Sequence, residues 1–186
     1  MNKRKPKGLE GELVYLSPVS SEDANLYYDE LFDPEARKLT GTKVLFTFDQ
    51  VVQYLKDRSM SSTSVLCFIV LQKNDEIIGD IALQDIDTTN RSGGIRISIN
   101  KHNHQGRGYG TEALKLMLDY GFGQLNLHRI ELTVYDYNER AIHVYEKVGF
   151  KVEGRLRDAL YYDHAYHDTI FMSILEDEFR QLYKQT

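Results

Sequence analysis

The sequence predicts a single three-layer α/β (α+β) domain, a mixed central sheet with helices on both faces. Three observations predict it. The run Val65–Leu71 is almost wholly apolar, as a strand covered on both faces must be. Ile95, Ile97 and Ile99 alternate with Arg96, Ser98 and Asn100, the period of two of a strand with one buried face. Helical stretches separate some strands and tight turns separate others, so crossovers mix with antiparallel hairpins. A length of 186 residues with 41% hydrophobic content suits one domain over 1–186 with a real core.

Taken in order, Leu13–Leu16 reads as the first strand. Ser20 or Ser21 is placed to cap a helix over Asp23–Phe32, which Asp33-Pro34 ends. Glu35–Phe48 reads as a looser segment. Asp49 is the expected cap of a second helix over Gln50–Arg58, with Val51, Val52 and Leu55 as its apolar face. Lys73-Asn74-Asp75 turns Val65–Leu71 back into a strand over Glu76–Asp85. After the strand Ile95–Asn100, a glycine-rich turn leads into a helix over Tyr109–Phe122, whose buried face carries Leu114, Met117, Leu118 and Gly121. Ile130, Leu132 and Val134 then alternate with Glu131, Thr133 and Tyr135. A short helix follows Asn138, with Ala141, Ile142, Tyr145 and Val148 inward and Gly149 as its C-terminal cap. Strands around Phe150–Arg157 and Tyr166–Leu175 complete the sheet, and Glu176–Lys184 reads as a surface helix.

Composition narrows the function. A net charge of −5 argues against a nucleic-acid partner, which calls for a basic excess, and leans weakly toward cationic substrates. Cys67 is the one cysteine, so no intrachain disulfide forms and a cytoplasmic setting is expected. It reads as a small buried hydrophobe. No apolar stretch approaches the roughly 20 residues that span a bilayer. Met1–Lys7 holds four cations without an apolar run behind them; it is not a signal peptide, and residues 1–8 read as a frayed end.

The stretch richest in chemical meaning is Gln105-Gly106-Arg107-Gly108-Tyr109-Gly110. Glycines at a strand-to-helix turn let consecutive backbone N–H groups converge on one anion, and the helix adds its positive end. The N–H groups of Arg107, Gly108, Tyr109, Gly110 and Thr111 are the expected donors, and the Arg107 side chain can add a charge-assisted contact. Neither the dinucleotide G-x-G-x-x-G nor a Gly-Lys-Ser/Thr signature is present.

That spelling fits Q/R-x-x-G-x-G/A, and it resembles the acyl-coenzyme A loop of the GCN5-related N-acetyltransferases (GNAT). A second stretch resembles the same superfamily: Asn138, Ala141, Tyr145, Gly149 and Phe150 fit N-x-x-A-x-x-x-Y-x-x-x-G-F. The resemblance implies the GNAT fold and acetyl-coenzyme A as co-substrate. It implies that Gln105 through Thr111 hold the pyrophosphate, that Asn138 meets the pantetheine arm, and that Ser98 and Ile99 offer main-chain contacts from a strand that splays from its neighbour. It implies that Tyr145 is catalytic, protonating the departing thiolate; a phenol near pKa 10 is then paired with a thiol near about 8.5. Asn138 also reads as a helix N-cap, and Tyr145 as a core aromatic.

The segments Leu125–Ile130, Gly149–Arg157, Tyr166–Asp168 and Met172–Leu175 resemble the branch that acetylates ribosomal-protein N-termini and its spermidine-acetylating relatives. The implied acceptor is a primary amine: a protein N-terminus, a polyamine or another small amine. Direct attack in a ternary complex is the implied reaction. The alternative is a non-catalytic acetyl-coenzyme A sensor, which could dispense with Tyr145. Exposed strand edges make a homodimer a candidate assembly.

One departure stands out. Many relatives carry a glutamate early in the strand before the loop, where this chain has Ser92-Gly93-Gly94. Asp85 or Asp87, at the end of the preceding strand, is then a candidate base acting through water, although both also read as turn residues. Acidic Asp29, Glu30 and Asp33 and the cluster Tyr161, Tyr162, Asp163 and Tyr166 are candidates for an acceptor pocket, beside their plain readings as helix charges and a half-buried hairpin. His102, His104, His164 and His167 carry no metal expectation, since no third ligand accompanies either pair. There is no G-x-S-x-G elbow.

Overall fold

A computed structural model describes residues 5–99 and 104–183. Eight strands form one sheet in the order β1-β2-β3-β4-β5-β6-β8-β7. They are β1 (Leu9–Glu10), β2 (Val14–Pro18), β3 (Val65–Leu71), β4 (Ile77–Asp87), β5 (Ser92–Ile99), β6 (Arg129–Tyr135), β7 (Lys151–Tyr162) and β8 (Ala165–Leu175). The helices are α1 (Ala24–Glu30), α2 (Pro34–Thr40), α3 (Phe48–Met60), α4 (Tyr109–Gly123), α5 (Glu139–Val148) and α6 (Glu176–Tyr183). All neighbouring strands are antiparallel except β5 and β6, which run parallel. The crossover between them is α4, as a parallel pair requires.

Strand β3 shows why the three layers form. Leu66, Phe68 and Val70 pack with Tyr27 of α1 and Val51 and Leu55 of α3. Cys67, Ile69 and Leu71 face the other way, toward Leu114, Met117 and Leu118 of α4. The period of two thus divides one apolar run between two cores. The buried face expected for α4 is realised: Leu114, Met117, Leu118 and Gly121 are all buried.

Two expectations are corrected. Asp33-Pro34 does end the first helical stretch, but it also opens α2: Asp33 Oδ1 accepts Ala36 N–H at 2.7 Å and Pro34 takes the first turn. The same dipeptide stops one helix and starts the next, because proline needs no N–H partner at a helix start. The cap of α3 is Thr47 rather than Asp49. Thr47 Oγ1 accepts Gln50 N–H at 3.3 Å and Gln50 Oε1 accepts Thr47 N–H at 2.9 Å, a reciprocal box. Of the start expected to fray, residues 1–4 lie outside the described residues, whereas Gly8 N–H donates to Leu16 at 2.9 Å and Lys7 reaches Gln72 at 2.7 Å.

Asp80 of β4, which is buried, and Arg96 of β5, which is partly so, form an ion pair at 2.5 Å on the α1–α3 side. Arg96 Nη2 also donates to the hydroxyls of Tyr27 at 3.1 Å and Tyr54 at 3.4 Å. Two helices and two strands are thereby tied at one guanidinium.

Candidate active site

The sheet opens where its parallel pair fails. Strands β5 and β6 are in register only over Ser92–Gly94 against Arg129–Glu131. Beyond Gly94, β5 stays with β4 as far as Ile99, while β6 stays with β8 as far as Tyr135. A cavity of about 600 Å³ occupies the resulting gap. Ile95, Ile97 and Ile99 all line it; Ile95 is buried and the other two are half-buried.

At the open end lies the glycine turn. Gly106 has φ +73° and Gly108 has φ +85°, a left-handed backbone that glycine adopts freely. A Cβ at Gly106 would meet nothing within 4 Å, so the loop is shaped by its conformation and not by crowding. Gly108 caps α4 without a side-chain hydrogen bond, which leaves the first N–H groups of a 15-residue helix for a ligand. The arrangement fits a pyrophosphate. Gln105, Gly106, Gly108, Tyr109, Gly110 and Thr111 all line the cavity, and so do Ser98, Ile99 and Asn138. Arg107 does not; it is exposed on the outside of the turn. Gln105 is held by Arg140 of α5 and donates weakly to the Ile99 carbonyl at 3.5 Å.

Glu112 would place a carboxylate in the first turn of α4, where it could oppose a bound anion. It points away instead. Its oxygens accept the N–H groups of Glu12 at 3.0 Å, Leu13 at 2.8 Å and Val14 at 2.7 Å. The β1–β2 turn is thus bolted to the helix that the glycine turn leads into. Glu112→Ala leaves these donors unpaired and is expected to cost about 1–3 kcal/mol. It should raise KM for acetyl-coenzyme A more than it lowers kcat; thermal melting and steady-state kinetics check both.

Asn138 Oδ1 caps α5 by accepting Ala141 N–H at 3.2 Å, so the capping role is realised while the residue also lines the cavity. Tyr145 of α5 is 8% exposed, packs edge-on against Phe150 and lines the cavity wall. Burial pushes its phenol up to about 12, so it is a weaker acid than an ordinary tyrosine. His104, at the start of the loop, is buried; its Nε2 lies 3.2 Å from Glu76 Oε1 and its Nδ1 has no hydrogen-bond partner. Cys67 faces the α4 core and burial pushes its thiol up to about 12, which makes it unsuited to a covalent relay.

The far wall of the cavity holds Asp33, one of the acidic residues singled out from the sequence, and residues that sequence reasoning missed. Helix α2 contributes Glu35, Leu39 and Thr40, and β6 contributes Tyr135. The signal for α2 was present in Asp33-Pro34, which is as good a helix start as a helix stop. Asp29 and Glu30 lie on α1 and do not line this cavity; neither do Tyr161, Tyr162, Asp163 and Tyr166. The rings of Tyr161 and Tyr166 pair at 5.0 Å on the exposed β7–β8 hairpin. His102 lies outside the described residues.

Of the two candidate bases, Asp87 is committed to a turn. Its carboxylate accepts Asn90 N–H at 2.9 Å, Asn90 Nδ2 at 2.7 Å and Thr89 N–H at 2.8 Å. Those donors, Asn90 foremost, hold its pKa below the usual carboxylate value. Asp85 lines the cavity.

Comparison with known proteins agrees with this geometry. Residues 14–151 match the acetyltransferase (GNAT) domain profile. The chain is 30% identical over 171 residues to the uncharacterized N-acetyltransferase p20 of Bacillus licheniformis, covering 90% of this chain and 96% of that protein. It is 36% identical over 125 residues to spermidine N(1)-acetyltransferase of Escherichia coli K12, covering 67% of this chain and 66% of that protein. The crystal structure of spermidine N-acetyltransferase from Vibrio cholerae in complex with CoA and spermine superposes with a TM-score of 0.84 at 25% identity, covering 91% of this chain and 99% of that one.

Proposed function

Because this chain belongs to the acetyltransferase (GNAT) family and uses acetyl-coenzyme A as its donor, we propose that it acetylates a primary amine of a polyamine, spermidine being the first candidate. The observation that carries this reading is the polarity of the cavity. Arg140, which holds Gln105 of the glycine turn, and Lys147 stand on its α5 wall, whereas Asp33, Glu35 and Asp85 stand on the α2 and β4 walls, and the β5 cation Arg96 is paired with Asp80. A donor with phosphates at one end and an acceptor with ammonium groups at the other match that gradient. Relatives that act on spermidine support the same acceptor class.

In this reading the donor's pyrophosphate lies on the N–H groups of residues 106–111, and its pantetheine arm follows Ser98 and Ile99 past Asn138. The amine attacks the thioester carbonyl directly, and proximity in the cleft supplies much of the rate. Tyr145 hydrogen-bonds the sulfur as it leaves. The exposed outer edge of β7 suits pairing with a second copy of the chain.

The test is thiol release from acetyl-coenzyme A with spermidine and with a short peptide bearing a free N-terminus. Turnover with spermidine alone is the expected result. Turnover with the peptide alone would move the acceptor to a protein N-terminus.

A further inference from the structure

Resting on the acetyl-transfer reading above, we infer that Asp85 takes the proton of the incoming amine through one water molecule. The backbone aims it there. In the β4–β5 ladder Gln84 stands opposite Gly94 and Asp87 opposite Ser92, so Asp85 and Ile86 share the single partner Gly93. An extra residue of this kind bends a strand and re-aims a side chain. Leu83 is buried in the α4 core and Ile86 packs against the same core, although they are three residues apart. Simple alternation would have put Asp85 beside them; the bulge turns it out with Gln84, and both line the cavity.

Asp85 has φ +52°, a conformation that L-residues rarely adopt. Among the described residues, the other non-glycine positions with positive φ are in turns and loops, apart from Asp158 in the exposed β7. Only Asp85 of this group lines the cavity.

The neighbouring carboxylates are engaged elsewhere. Asp33 caps α2, Asp87 holds its turn, and Glu131 accepts Arg129 Nε at 3.0 Å. Asp85 makes no hydrogen bond or ion pair among the described residues. Across the ladder, Gly94 stands opposite Gln84 and carries no side chain; a Cβ there would make ordinary contact with Gln84 Cγ at 3.5 Å. The other titratable groups on the cavity wall are Asp33 and Glu35 from α2, Arg96 from β5, Glu131 and Tyr135 from β6, His104 before the loop, Tyr109 from α4, and Arg140, His143, Tyr145 and Lys147 from α5; Arg96 is paired with Asp80.

The proton balance is simple. The acceptor arrives as an ammonium ion and loses one proton through water to Asp85, which passes it to solvent. The neutral nitrogen forms the C–N bond, and the C–S bond breaks with its electron pair going to sulfur. Sulfur leaves as a thiolate hydrogen-bonded by Tyr145 and takes its proton from solvent, and nitrogen sheds its second proton along the Asp85 route.

Asp85→Asn in the full chain tests this, with spermidine as acceptor and Asp87→Asn as control. At about pH 7, kcat/KM for spermidine should fall about 100-fold in Asp85→Asn and hold in Asp87→Asn. The deficit should narrow as pH rises and more spermidine nitrogen is already neutral, while affinity for acetyl-coenzyme A and the melting temperature stay unchanged. A loss below about threefold, or one that is constant with pH, overturns the inference. A wild-type protein that releases no thiol with spermidine overturns the acceptor reading and this inference together. Active wild type beside an unaffected Asp85→Asn overturns this inference alone.

Discussion

Tyr145→Phe should release thiol about 100-fold more slowly than the wild type while binding acetyl-coenzyme A equally well. The hydroxyl makes no hydrogen bond among the described residues, so its removal strands no protein partner. The ring keeps its packing on Phe150. Burial pushes the phenol up to about 12. Against a thiol near 8.5, complete proton transfer is then uphill by about 5 kcal/mol as a free equilibrium. The group therefore serves best as a hydrogen-bond donor to sulfur while the C–S bond is breaking and charge is developing there. Because the folded pKa lies above the unfolded value near 10, the protonated phenol's stabilising effect is full below about pH 10 and is lost as pH rises toward 12. An alkaline limb in kcat arising from Tyr145 should accordingly lie above about pH 10. Single-turnover kinetics with coenzyme titration would check the split. A variant within a few fold of wild type would mean that the thiolate leaves without help from the Tyr145 hydrogen bond.

Asp80→Ala should lower stability by about 3 kcal/mol, the low end for breaking a buried ion pair. Asp80 is 6% exposed, and a third of the Arg96 side chain remains reachable by solvent, which limits the cost. Burial pulls the Arg96 guanidinium down, but Asp80, Tyr27 and Tyr54 outweigh it and hold it above its usual value. Without Asp80, that cation keeps two phenol partners and no countercharge. For a domain of this size the melting temperature should drop by about 10 °C. The pair Asp80→Leu with Arg96→Met should recover most of the loss, because it removes both charges from the interior together. Calorimetry on the two variants decides it; a double variant as unstable as the single one would mean that the tyrosine contacts, and not charge pairing, hold α1 and α3 to the sheet.

Much of this molecule was legible in order of sequence. Val65–Leu71 and Ile130, Leu132 and Val134 announced their strands because the pleat exposes alternate residues to different surroundings. The glycine turn and the Asn138–Phe150 stretch were legible for a related reason: an anion cradle and a capped helix are local devices, made by residues adjacent in the chain. Asp33-Pro34 misled because one dipeptide satisfies both a helix end and a helix start, and only the packing of the next turn against the sheet chooses between them.

By itself, then, the sequence determined the elements, the glycine turn proposed to hold the coenzyme and the tyrosine proposed to serve the sulfur. Tertiary structure decided the rest. Where β5 parts from β6 at Gly94 depends on ladders that join residues some 40 positions apart. That α2 walls the cavity comes from packing a helix without a buried residue against β6. The choice of Asp85 over Asp87 came from a one-residue bulge in strand register. Such features are set by competition among distant backbone partners, and no window of neighbouring residues contains both sides of that competition.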